Sequence, residues 1–161
     1  MDNDLQPKVI QCDIHGANGL AFSADRRWMY TSDTPNAVIY RTPLDEQGEP
    51  GRREVFRRFQ PGEGIPDGAA IDVEGCYWSA MFDGWRIARF SPQGEELDSY
   101  PMPVRCPTMV CFGGADMKTL YITTTRENME DDELAQYPLS GAIFTLPVAV
   151  AGMKKLPFRE C

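Results

Sequence analysis

The chain has 161 residues, 42% of them hydrophobic and 11% aromatic, which is enough for one packed domain and too apolar for a disordered chain. Its 16 Lys and Arg stand against 24 Asp and Glu, a formal charge of -8 that disfavours nucleic acid and suits a small polar substrate, a cation or another protein. No run approaches the ~18 apolar residues of a spanning helix, residues 1–10 lack a signal-peptide pattern, and the five cysteines (Cys12, Cys76, Cys106, Cys111, Cys161) form no Cys-x-x-Cys pair, so reduced thiols in a cytoplasmic protein without a membrane partner are expected.

In chain order, Leu5 to Ile10 reads as a β-edge segment that leads straight into a turn and a strand, as though the chain began in mid-fold. Three segments then share one grammar: NGLAFSADRRWMYTSD from Asn18, DGAAIDVEGCYWSAMFD from Asp67, and TMVCFGGADMKTLYITTT from Thr108. Each is a short apolar strand, a polar turn and a second, aromatic-containing strand. Asn18 to Asp67 is 49 residues and Asp67 to Thr108 is 41, the period of four-stranded propeller blades and too long for common helical repeats. Outer strands are predicted over 37–41 and 53–59, over 86–90 and 97–102, and over 142–146.

With 13 prolines and 14 glycines interrupting the chain, helical signal is confined to 127–136. The predicted fold is all-β, a partial propeller of about three blades spanning 1–161, with 1–16 ending a preceding blade and 147–161 forming a tail. Three blades leave edges and half a channel open, so either a missing N-terminal half or self-association through the open blade edges is expected.

Taken singly, Asn18 before a glycine and Asp67 between Pro66 and Gly68 are ordinary turn residues. Their shared place at the opening of an innermost strand is what puts both at one end of a channel, with Thr108 in the matching third position. Asp33, Asp72, Asp83 and Asp116 read as turn hydrogen-bonders. His15, the one histidine, lacks a Gly-x-Ser-x-Gly elbow and reads as a loop residue near the channel. The acidic run from Glu127 to Glu133 lacks EF-hand spacing and reads as a solvated connection.

Asn18-Gly19-Leu20 through Tyr30-x-x-Asp33, Ile65-Pro66-Asp67-Gly68 through Trp78, and Cys106-Pro107-Thr108 through Thr123 together resemble the SMP-30/gluconolactonase/regucalcin family over about 17–146. The resemblance implies the C-terminal half of a six-bladed propeller and metal-dependent hydrolysis of a sugar lactone to its aldonic acid. It implies one divalent cation, Ca²⁺, with Zn²⁺, Mn²⁺ or Mg²⁺ as alternatives, held by Asn18 and Asp67, with Asp67 also catalytic. Thr108 and His15 are candidate channel-lining, substrate-side residues. The family's Glu ligand and its substrate-holding Arg and Asn belong to blades that would precede Met1, so the chain alone is expected to be impaired. Rival readings are a non-enzymatic calcium-binding or scaffold propeller and a paraoxonase- or phosphotriesterase-like hydrolase.

Overall fold

A computed structural model of the chain describes residues 7–154, almost entirely as antiparallel β structure. The first repeat folds into a four-stranded sheet, β1 (Ala17–Phe22), β2 (Trp28–Asp33), β3 (Val38–Pro43) and β4 (Glu54–Arg58), taken in sequence order. The second does the same with β5 (Ile65–Ile71), β6 (Tyr77–Phe82), β7 (Arg86–Phe90) and β8 (Glu96–Pro101). The third gives three strands, β9 (Pro107–Gly113), β10 (Thr119–Thr124) and β11 (Ile143–Pro147). The first strands of the three sheets lie side by side, β1 on β5 and β5 on β9, so the sheets are successive blades of a partial propeller around one axis.

Two expectations change. Residues 5 and 6 of the expected edge segment lie outside the described residues, and 7–10 form no strand. Their neighbourhood is tied to the first blade by side chains instead: Lys8 Nζ reaches Glu49, Gln11 Nε2 donates to Thr42 Oγ1 at 2.6 Å, and Arg53 Nη1 donates to the Cys12 carbonyl. The predicted helix shortens to α1 (Asp131–Gln136). Glu127 N–H donates to Thr125 Oγ1 and Asn128 adopts φ 58°, a left-handed conformation that a right-handed helix cannot pass through.

The middle blade carries the core. Every residue of β6 from Tyr77 to Met81 is buried, and its side chains alternate between two clusters. Tyr77 and Met81 pack with Tyr30, Ile39 and Phe90 toward the first blade. Trp78 and Ala80 pack with Val110, Phe112, Leu120 and Ile122 toward the third. The strand β10, with one face uncovered, shows the plain alternation of a half-buried sheet, leaving Tyr121 exposed between buried Leu120 and Ile122.

Asp72, at the turn after β5, joins these layers from inside. It is fully buried and accepts from Glu74 N–H, Cys76 N–H, Trp78 Nε1 and Arg89 Nε, all between 2.8 and 2.9 Å. Arg89 turns its other nitrogens to Glu74 and Asp98 at the surface, so the buried charge pair is fully hydrogen-bonded. The chain after β11 returns to this region, with Val73 N–H donating to the Ala151 carbonyl and Gly152 N–H to that of Met117. A Cβ on Gly152 would fall on the Phe112 ring, so glycine is required there by contact.

Asp116, in the β9–β10 turn of the third blade, is exposed by contrast, and its carboxylate serves one donor, Lys118 N–H. Asp72→Ala is therefore expected to cost about 3–5 kcal/mol, by stranding Arg89 and three further donors, against about 1 kcal/mol or less for Asp116→Ala. Urea unfolding of the two variants checks this, and equal midpoints would count against the assignment.

Candidate active site

The opening residues of the three inner strands meet because two glycines let the backbones touch. A Cβ on Gly19 would fall on Tyr77 Oη and lie 2.7 Å from Ser32 Oγ and 3.0 Å from the Asp67 carbonyl. A Cβ on Gly68 would strike Met109 Sδ and lie 2.7 Å from the Thr108 carbonyl. Asn18-Gly19, Asp67-Gly68 and Thr108-Met109 are thus stacked from blade to blade at one level. Each inner strand also slips register at this level, between Asn18 and Ala21, between Pro66 and Ala69, and around Thr108. Such bulges interrupt regular pairing and re-aim side chains, and they are found beside active sites.

Hydrogen bonds across the first two blades hold this arrangement. Tyr77 Oη donates to the Gly19 carbonyl at 2.8 Å, Ser32 Oγ to the Asp67 carbonyl at 3.2 Å and Thr34 Oγ1 to the Pro66 carbonyl at 2.7 Å. Burial raises the Tyr77 phenol well above its ordinary range, so it remains a neutral donor. Thr34 Oγ1 in turn accepts from Asn18 Nδ2 at 3.0 Å. That bond engages the nitrogen end of the Asn18 amide and leaves its carbonyl oxygen as the open acceptor.

Asp67 is half-buried, and among the described residues no donor is bonded to its carboxylate. Burial, and secondarily the charge of Glu127, pushes its carboxyl up to about 6. A carboxylate without a bonded donor and an amide oxygen, carried at the openings of adjacent inner strands, are hard-oxygen donors of the kind that suit Ca²⁺ or Mg²⁺. Asn18 and Asp67 therefore fit a divalent cation chemically. The other metal-type cluster among the described residues, Asp72 with Glu74 and Cys76, has its Asp72 oxygens committed to four donors.

The remaining candidates fall around this pair. Thr108 presents its backbone carbonyl to Gly68, with its hydroxyl 2.8 Å from that of Thr123 in β10. His15 is mostly exposed and belongs to the first-blade turn: Asn36 Nδ2 donates to its Nδ1 at 2.9 Å, and Asp33 lies 3.8 Å from the ring. Buried Asp33 accepts from Asn36 and from the backbone N–H of His15 and Gly16; burial works against its charge, but these bonds outweigh it and hold the carboxyl below the usual range.

Sequence reading missed Ser32, Thr34 and Tyr77, which support the site without carrying a recognisable motif. The acidic run from Glu127, read as a solvated connection, has Glu127 exposed. No local signal marks Ser32, Thr34 or Tyr77, since only the stacking of blades brings them to the Asn18–Asp67 level.

A family model described as the SMP-30/Gluconolactonase/LRE-like region matches residues 1–126. The chain is 55% identical to the 6-deoxy-6-sulfogluconolactonase of Pseudomonas putida, with 94% of this chain and 53% of that protein covered. It is 38% identical to the regucalcin of Danio rerio, with 98% and 59% covered. The fold superposes on the calcium-binding regucalcin of Agrobacterium tumefaciens with a TM-score of 0.88 at 31% identity, over 94% of this chain and 52% of that one. A gluconolactonase from Xanthomonas campestris gives a TM-score of 0.65 at 28% identity, over 86% and 40%. The chain thus spans about half the length of the curated relatives it matches.

Because folding raises the Asp67 pKa from 3.8 to about 6, the folded state binds its proton more tightly, and stability falls as pH rises between those values. Asp67→Asn is expected to stabilise the metal-free chain by about 1–2 kcal/mol at pH 7.5, after allowance for solvent, and by nothing measurable below pH 4. Thermal melts in chelator at the two pH values check this; a variant no more stable than the wild type at pH 7.5 would refute it.

Proposed function

The chain belongs to the SMP-30/gluconolactonase/LRE-like family, and from that membership we propose that its Asn18–Asp67 level is the C-terminal part of a cation-dependent site that hydrolyses a sugar lactone to its aldonic acid. The observation that carries this reading is the half-buried Asp67 carboxylate, to which no donor is bonded among the described residues, on the strand-opening level where its backbone carbonyl abuts Gly19, next to Asn18. Ca²⁺ is the cation we assign first, in keeping with the calcium-binding regucalcin that shares the fold; Zn²⁺, Mn²⁺ and Mg²⁺ are alternatives.

When bound, the cation supplies Lewis acidity toward the lactone carbonyl. The protein groups do the rest. Asn18, oriented through Thr34, and Asp67 offer oxygens at the channel mouth. Asp67, ionised above its raised pKa, is suited to take a proton from the attacking water. The water oxygen bonds to the carbonyl carbon, the ring carbon–oxygen bond breaks, and the released alkoxide takes up the proton that Asp67 accepted, which restores the carboxylate. Thr108 and His15 stand as substrate-side residues around this level.

We further propose that an isolated chain of these 161 residues turns over lactones poorly. It corresponds to about half of its relatives, and a half-channel neither completes a ligand set nor excludes water. The cytoplasm remains our assignment for the protein; no described helix is long and apolar enough to cross a membrane. Calcium binding without turnover is the competing reading, favoured by the likeness to regucalcin.

Calorimetric titration with Ca²⁺ beside hydrolysis of glucono-, xylono- and arabinonolactone separates these readings. We expect measurable cation binding abolished by Asp67→Ala, with slow, cation-dependent lactone turnover lost in the same variant. Binding with no turnover favours the non-enzymatic reading, and cation binding indifferent to Asp67 refutes the site. Thr34→Val, which unties Asn18 without touching a donor atom of the site, is expected to weaken Ca²⁺ binding by about tenfold.

A further inference from the structure

The first-blade turn over Thr34–Asn36 holds His15 in a way that fixes which of its ring nitrogens carries the hydrogen. Residues 15 and 16 run against this turn: Thr34 N–H donates to the Gly16 carbonyl at 3.1 Å, and a Cβ on Gly16 would lie 2.7 Å from Pro35 Cδ. The Thr34 hydroxyl accepts from Asn18, so the turn that carries Asn36 is also the one that orients Asn18. Within it, Asn36 stands between an acid and the imidazole. Its Nδ2 donates to Asp33 Oδ2 at 2.8 Å and lies 2.9 Å from His15 Nδ1. Asp33 is buried, and its carboxylate also accepts from the backbone N–H groups of His15 and Gly16.

The hydrogens along this line follow from its buried end. An ionised carboxylate only accepts, so the Asn36 amide must turn its nitrogen toward Asp33; the carbonyl end there would set oxygen against oxygen. One N–H of that nitrogen serves Asp33 and the second points at His15. A ring nitrogen that faces a donor has to accept, so Nδ1 is bare and the neutral ring carries its hydrogen on Nε2. The other tautomer would set two donors 2.9 Å apart. Asp33 itself lies 3.8 Å from Nδ1, too far to claim a hydrogen there. Nε2 has no partner among the described residues, and the side chain is 75% exposed. With the Thr34 hydroxyl spent on the Pro66 carbonyl, the free donor on this turn is the His15 Nε2–H.

Resting on the lactone reading above for its ligand, we infer that Asn36 is a positioning residue, which locks His15 in the Nε2–H tautomer so that the imidazole meets a sugar lactone only as a hydrogen-bond donor to one of its oxygens. A ring free to exchange tautomers could present either a donor or an acceptor to the ligand. Tied through Asn36 to a buried carboxylate, it presents one N–H, and the partner that orients the ring is set behind it, away from the ligand.

Two measurements test this. Proton–nitrogen correlation spectra of the imidazole at about pH 8.5 should show Nε2 protonated and Nδ1 bare in the wild type, and a mixture of tautomers in Asn36→Ala, with Ca²⁺ affinity as the control for an intact mouth. Gluconolactam, which does not hydrolyse, is then titrated into the Ca²⁺-loaded chain and is expected to shift the Nε2 signal. His15→Gln, whose amide nitrogen reaches the place of Nε2, should keep gluconolactam affinity within about twofold. His15→Asn, whose amide falls at the place of Nδ1, should weaken it roughly five- to tenfold, and Asn36→Ala by a factor in between. A protonated Nδ1 in the wild type, tautomers indifferent to Asn36, or His15→Asn binding as well as His15→Gln overturns the roles given to Asn36 and His15 while the lactone reading stands. If the tautomer is as expected and Ca²⁺ binds through Asp67, yet gluconolactam does not bind, the lactone reading itself fails and the ligand given to His15 falls with it.

Discussion

Everything at the channel mouth depends on how closely the inner strands β1, β5 and β9 approach one another. The approach is steric before it is chemical, since side chains at Gly19 or Gly68 would collide with Tyr77, Ser32, Thr108 or Met109. With those positions empty, the backbone of one blade accepts hydrogen bonds from side chains of the next, and the register slips turn the neighbouring polar residues out of regular pairing. The glycines beside Asn18 and Asp67 are therefore part of the site, although neither carries a functional group.

The middle blade transmits that order. Its central strand is buried on both faces, so neighbouring blades are fixed against it by two independent apolar layers. The Asp72–Arg89 pair between the layers gains its place through complete hydrogen bonding rather than charge attraction alone, since an incompletely satisfied ion pair at that depth would cost more than it returns. The same four donors that satisfy Asp72 make it a poor ligand. Asp67, lacking donors and less deeply placed, is the opposite case. Two aspartates of one blade are thus set apart by their surroundings, one bonded into the core and the other left open for the role proposed above.

Charge has a similar division. The buried acids are neutralised locally, Asp33 by backbone N–H groups and Asn36, and Asp72 by Arg89 and three further donors. Asp67 is the contrasting case, half-buried with no donor bonded to its carboxylate among the described residues, and burial raises its pKa to about 6.

The repeat spacing, the turn glycines and the alternation of apolar residues were enough to read an all-β partial propeller and the place of Asn18, Asp67 and Thr108 at strand openings, because these follow from local geometry with periods of two residues and of one blade. The resemblance carried by Asn-Gly-Leu and Pro-Asp-Gly was equally local, and the family match bears it out. What the sequence did not disclose depends on pairs far apart in the chain. Nothing near Thr34 announces that its hydroxyl links Asn18 to Pro66, and nothing near Tyr77 announces a bond to Gly19. Asp72 and Asp67 look alike as turn aspartates until burial and partners separate them. The charged run after Thr125 reads as a solvated connection; that Glu133 and Tyr137 within it dock on Arg105 and Trp85 is visible only in the folded chain. Period and turn chemistry are written in neighbouring residues, whereas partner, depth and proton affinity are set by which blades touch, and that was decided in three dimensions.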